Sequence, residues 1–161
     1  MSMFVAIRLL HILLAALWLG AALVLSTFVV PGMRQAGRAG DQVLVRVMQR
    51  GLHVYMATIS GTTVLTGLVL YWQFTSGLTG TLVHSHAGIA LGLGGILGVV
   101  TAAIGGGVIG RSFKGIVALS AQPGDNTTEI AKLHDRAAAG ARLAAILLVA
   151  AFALMAVARY V

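Results

Sequence analysis

Polar residues interrupt this chain so rarely that its hydrophobic pattern reads in blocks. Apolar runs cover about residues 4–30, 51–74, 82–109 and 137–160. Each exceeds the roughly 20 residues that carry a helix across a bilayer. Pro31-Gly32 predicts the end of the first helix. Residues 31–47, with Arg34, Arg38, Asp41 and Arg46, then form a polar connection suited to a short amphipathic helix in the interface. The second run closes on Tyr71, Trp72 and Phe74, aromatics of the kind that gather at a membrane surface. Ser76 to Gly80 is an uncharged turn. The third run is rich in glycine, and Gly88-xxx-Gly92 and Gly94-xxx-Gly98 suit close helix packing. Thr127-Thr128-Glu129 reads as a helix start, so the fourth helix begins before the membrane and enters it near Ala137. The expectation is an all-α integral membrane four-helix bundle, one domain over 1–161, built as two tandem hairpins.

Composition strengthens the membrane reading. Of 161 residues, 58% are hydrophobic and 9% charged, and mean hydropathy is +0.96, far from the usage of a soluble domain. The first run is too long for a secretory signal core and lacks a convincing small-residue cleavage site, so it reads as a retained span. With no cysteine, disulfides, thiolate clusters and thioether-attached haem are excluded. The net charge of +7 does not point to nucleic acid, because the basic residues sit at helix ends. Nine of the 11 Lys and Arg fall in the connections 31–50 and 111–142, and only Arg8 and Arg159 lie on the other side. The positive-inside rule then puts both termini on the outer side of a bacterial inner membrane. All four acids fall in the connections, which argues against a carboxylate-based proton pump or membrane hydrolase.

Histidine stands near the start of every apolar run. His11 belongs to the outer side with His84 and His86, and His53 to the cytoplasmic side with His134. His11 lies about 10 Å inward of Phe4 at 1.5 Å per residue, deep enough that an unpartnered imidazole is costly. Paired imidazoles on facing helices suit axial ligation of haem iron. The residues at i+4, Ala15, Ala57, Gly88, Ala90 and Ala138, are all small enough to clear a porphyrin. Positions i and i+2 point apart on a helix, so only one of His84 and His86 ligates a given iron. Arg8 and Arg50, three residues before His11 and His53, suit haem propionates. His134, beside Asp135 and Arg136, reads equally well as a headgroup-region residue, with Met48 or Met56 as alternative inner ligands. Trp18 reads as helix packing.

His11-x6-Trp18-x-Gly20 followed by Val30-Pro31 resembles the first helix of small bacterial membrane proteins related to the copper-resistance D family and to the HemJ-type protoporphyrinogen oxidases. The closing Ala153-Leu-Met-Ala-Val-Ala-Arg159-Tyr160 resembles the end of copper-resistance-D-like proteins, and His84-x3-Gly88 is similar to the ligand helix of b-type membrane cytochromes. The resemblance to HemJ-type proteins implies haem b, with His11 as a ligand.

The leading expectation is a di-haem b cytochrome, with bis-histidine sites near each face, that passes electrons across the membrane between an unidentified donor and acceptor, such as a quinone or a periplasmic redox protein. Copper is the alternative cofactor, through Met1, Met3, His84 and His86. A further alternative is a membrane oxidoreductase acting on porphyrin or quinone at one haem. A homo-oligomer is compatible with all three.

Overall fold

The structure, a computed structural model, describes residues 3–161. The chain is all-helical, with no strand among the described residues. Four helices are long and apolar enough to cross a membrane: α1 (Met3–Gln35), α3 (Leu52–Phe74), α4 (His86–Ser120) and α5 (Thr127–Val157). The shorter α2 (Arg38–Gln49) links α1 to α3. α1 packs on α3 and α5, α3 also meets α4, and α4 runs along α5.

Three expected boundaries move. Pro31 does not end the first helix, which continues to Gln35. Its last apolar turn widens into a π-turn, Leu25–Val29, in which the Val30 N–H donates to Leu25 O. The extra residue lets the helix pass a proline that cannot donate and would crowd the preceding turn. The third helix begins at His86, after a 3₁₀ turn at Thr81–His84, and passes through a second π-turn, Gly105–Gly110, to reach Ser120. Much of the expected 111–135 connection is therefore helix. The fourth helix starts at Thr127, ten residues before the expected 137–160 span, as the polar start at Thr127–Glu129 implied. In the preceding turn Asp125 accepts from the Thr127 hydroxyl at 2.7 Å and its N–H at 3.2 Å. Those bonds hold its carboxyl below the usual range.

α2 is set between two glycines in left-handed backbone, Gly37 (φ 55°) and Gly51 (φ 90°), a conformation that β-carbons disfavour. These reversals fold α2 back onto the end of α1. Leu44 becomes fully buried there with Val30, Met33, Phe113, Ile116, Ala137 and Ala138. Burying a Leu or Ile side chain so completely is worth on the order of 2 kcal/mol. A second cluster, Trp18, Ala22, Ile59 and Leu148, lies farther along the helices, and here Trp18 is the packing residue that its spacing suggested.

The packed face of α5 is a stripe of alanine: Ala137, Ala141, Ala144, Ala145 and Ala151, with Leu148 among them. Small side chains at helical spacing let α4 approach closely. The α4 glycines divide accordingly. A Cβ at Gly94 would touch Met155 and the Ala151 carbonyl, whereas nothing lies within 4 Å of the Cβ positions of Gly95, Gly98 or Gly105 to Gly107.

Packing is uneven along the long axis. The end carrying residues 34–50 and 111–136, here the basic end, holds most of the core. Toward the opposite end, no residue of Met3–Leu17 or of Val64–Phe74 is buried.

Candidate functional site

His11 stands in the sparsely packed half and turns its ring onto α3. Nδ1 lies 3.0 Å from the Thr63 carbonyl oxygen and 3.0 Å from Thr66 Oγ1. A carbonyl only accepts, so His11 donates from Nδ1. Thr66 spends its own hydroxyl proton on Thr62 O and Thr63 O, at 2.7 and 3.0 Å, which leaves its oxygen as an acceptor for the same N–H. With the proton fixed on Nδ1, the neutral ring carries its lone pair on Nε2. α3 makes room with Gly67, where a Cβ would stand 2.9 Å from His11 Cε1. Gly67→Ala is therefore expected to push the ring off Thr63, at a cost of about 1 kcal/mol for the lost bond. Unchanged ¹⁵N shifts of the His11 ring in the variant would count against this packing.

The other outer candidates are not brought to His11. His84 is exposed in the 3₁₀ turn, and Ser85, with extended backbone, separates it from α4. Its expected i+4 relation to Gly88 on one helix is thus lost. Gly88 serves the turn instead: its N–H donates to Ser85 Oγ at 3.0 Å, and a Cβ would meet the Leu82 carbonyl. His86 is exposed in the first residue of α4. The level of His11 on α4 is marked by Gly92, whose Cβ position lies 2.9 Å from the Tyr71 hydroxyl. Tyr71 is four residues after Gly67, and its side chain leans back toward that residue's level. His86 is six residues, about 9 Å, from Gly92 toward the helix end. Two imidazoles on one metal bring their nitrogens to within about 4 Å, at ~2 Å per bond, so a metal shared with His11 would require the His86 ring to span that offset.

At the basic end His53 is exposed and lines a cavity of about 320 Å³ with Met48, Gln49 and Lys114. His134 does not share it. His134 is 5% exposed and its Nε2 lies 2.7 Å from Asp41 Oδ1, a buried contact that bridges 93 residues. Its Nδ1 is buried with no partner among the described residues. The headgroup reading of His134 is thereby corrected: it is an interior residue. Asp41 engages Nε2, so Nδ1 is the only ring nitrogen left to ligate, and it is enclosed. Arg8 and Arg50 are exposed. Among the described residues no group of three or more His, Asp or Glu is placed to hold a metal. Met1, one of the copper donors considered, lies outside the described residues.

Asp41 was legible only as one acid in a connection. It and His134 are part of the wall of a cavity of about 940 Å³ between α2, the α4–α5 turn and α5. α2 contributes Arg38, Asp41, Gln42, Val45, Arg46 and Gln49, positions spaced as one helix face. The polar face of the expected short amphipathic helix lines this cavity.

For haem, the donor chemistry at His11 fits: an imidazole oriented through Nδ1 would have Nε2 left to hold the iron. The unburied apolar faces of α1 and α3 on either side provide surface for an apolar macrocycle. Among the described residues no group of three or more potential ligands includes His11, and the inner pair His53 and His134 line separate cavities. Neither a protein-family model, nor a curated protein, nor a solved structure matches this chain.

Proposed function

We propose that this is a multi-pass membrane protein that binds haem b through His11 and takes part in electron transfer, with one haem per chain rather than two. The observation that carries the reading is the fixed tautomer of His11: Nδ1 at 3.0 Å from Thr63 O leaves Nε2 as the free donor inside an apolar span. Intramembrane ionisable groups are retained for function far more often than for packing. Bound haem would supply one-electron chemistry, with His11 as the chain's ligand to it. The side chains of α1 and α3 would orient the group and exclude water from it. A ligand set built on His11 alone favours the membrane oxidoreductase, acting with a lipid-soluble carrier such as a quinone, over the bis-histidine relay.

In this reading the basic end faces the cytoplasm of a bacterial inner membrane and both termini face outward, because nine of the 11 Lys and Arg lie at the basic end. The four long helices then form one bundle of two hairpins across the bilayer.

Protein purified from haem-replete cells is expected to show a Soret band and about one high-spin haem per chain. His11→Ala is expected to abolish the band, while His53→Ala and His134→Ala retain it. A colourless wild-type protein would sink the proposal, and two low-spin haems would restore the two-layer arrangement.

A further inference from the structure

We infer that the 940 Å³ cavity at the basic end is a binding site for a phosphate-bearing organic ligand. The inference is independent of the haem reading, since it rests on different residues at the other end of the molecule.

The charge of the wall decides the ligand's sign. Arg34, Arg38 and Arg46 line the cavity, against a single lining carboxylate, Asp41. On a helix, Arg38 and Asp41 at i and i+3 are natural partners. Here Asp41 turns away from that partner and spends its Oδ1 on His134 at 2.7 Å. Arg34 is held by Asp135 at 2.6 Å, which fixes the guanidinium at the rim. Among the described residues Arg38 and Arg46 have no carboxylate within ion-pair distance. Arg38 and Arg46 thus line the cavity unpaired, while the one lining carboxylate is bonded to another helix. Three arginines against one lining carboxylate favour an anion over a cation, and the apolar lining residues, Val45, Val117 and Ile130 among them, suit an organic moiety beside the charge.

Geometry decides the class of anion. Guanidinium is a planar fork that matches phosphate oxygens in pairs, and Asn126 and Thr127 add neutral hydrogen-bonding groups to the same wall. The volume lies near the top of the ~300–1,000 Å³ range of small-molecule sites, so it holds an organic moiety as well as the phosphate. An anionic phospholipid headgroup and a soluble phosphorylated metabolite share this chemistry, and a basic pocket between membrane helices suits either.

The test uses the full-length protein and two probes. One arm measures retention of phosphatidylglycerol against phosphatidylcholine by native mass spectrometry of protein extracted from mixed vesicles. The other measures ATP binding by calorimetry in phosphatidylcholine nanodiscs at about 0.15 M salt, where screening limits diffuse attraction to ~8 Å. Arg38→Gln/Arg46→Gln is compared with Arg111→Gln/Arg136→Gln, which removes the same charge from exposed positions at the same end outside the cavity. A tenfold or greater loss in the first double variant only, in either arm, supports the site, and the arm that responds names the source. Equal losses in both variants would show a diffuse basic surface, and absence of binding in both arms would overturn the inference.

Discussion

Asp41→Ala is expected to destabilise the protein by about 3 kcal/mol, because it strands a buried histidine whose other nitrogen already lacks a partner. Both side chains are almost fully enclosed, at 6% and 11% exposure for His134 and Asp41, so solvent does little to screen the loss. The bond also joins distant parts of the chain. α2 is otherwise tied to α5 mainly through the apolar cluster around Leu44, so its loss should loosen α2 first. His134→Ala is expected to cost a similar amount, and the double variant less than the sum of the two by at least ~1 kcal/mol. Asp41→Asn keeps an oxygen acceptor and is expected to lose under half as much. Reversible unfolding in mixed micelles reads all four. Strict additivity, or an Asp41→Ala loss below about 0.5 kcal/mol, would mean that the contact contributes nothing to stability.

Gly40→Ala is the second large effect, expected at about 2–4 kcal/mol. A Cβ there would run into the backbone carbonyl of Met33, on the end of α1. A flexible side chain could swing aside, but a helix carbonyl cannot, so α2 would have to lift. Lifting it carries Asp41 away from His134 and draws Leu44 out of its fully buried seat. Gly95→Ala is the control, since nothing lies within 4 Å of its Cβ position and alanine is the better helix former by up to ~1 kcal/mol. Hydrogen exchange should rise across α2 in Gly40→Ala and stay unchanged in Gly95→Ala. Equal stability of the two variants would contradict the observed approach of α2 to α1.

The sites were unequally legible. Depth placed His11 among the functional candidates, since an imidazole inside an apolar run is conspicuous in sequence. Its partners were not readable: Thr63, Thr66 and Gly67 look like ordinary small residues in the second run, and only the packing of α1 on α3 brings them to the ring. His134 read equally as an inner ligand and as a headgroup-region residue, because Asp135 and Arg136 follow it. Burial overturned the headgroup reading, since Asp41 of α2 closes over it. Asp41 carried no signal beyond being one of four acids. The arginines of the cavity were counted for orientation, and the i, i+3, i+4 spacing of Arg38, Asp41, Gln42, Val45 and Arg46 was the available sign that they share a face.

The sequence by itself determined four long apolar helices and their order, because a bilayer-length run of apolar residues must satisfy its backbone within the segment, and helices do this without help from distant residues. It also located a polar connection and a helix start at Thr127, both set by local chemistry. Only the tertiary structure decided where helices pass their apparent stops, as at Pro31, where a π-turn packed beside α5 absorbs the proline. It alone decided which histidine nitrogen is free and which is spent, since a tautomer depends on an acceptor 52 residues away at His11 and on one 93 residues away at His134. Hydropathy is a property of each segment, whereas ring orientation and charge pairing belong to the contact between segments.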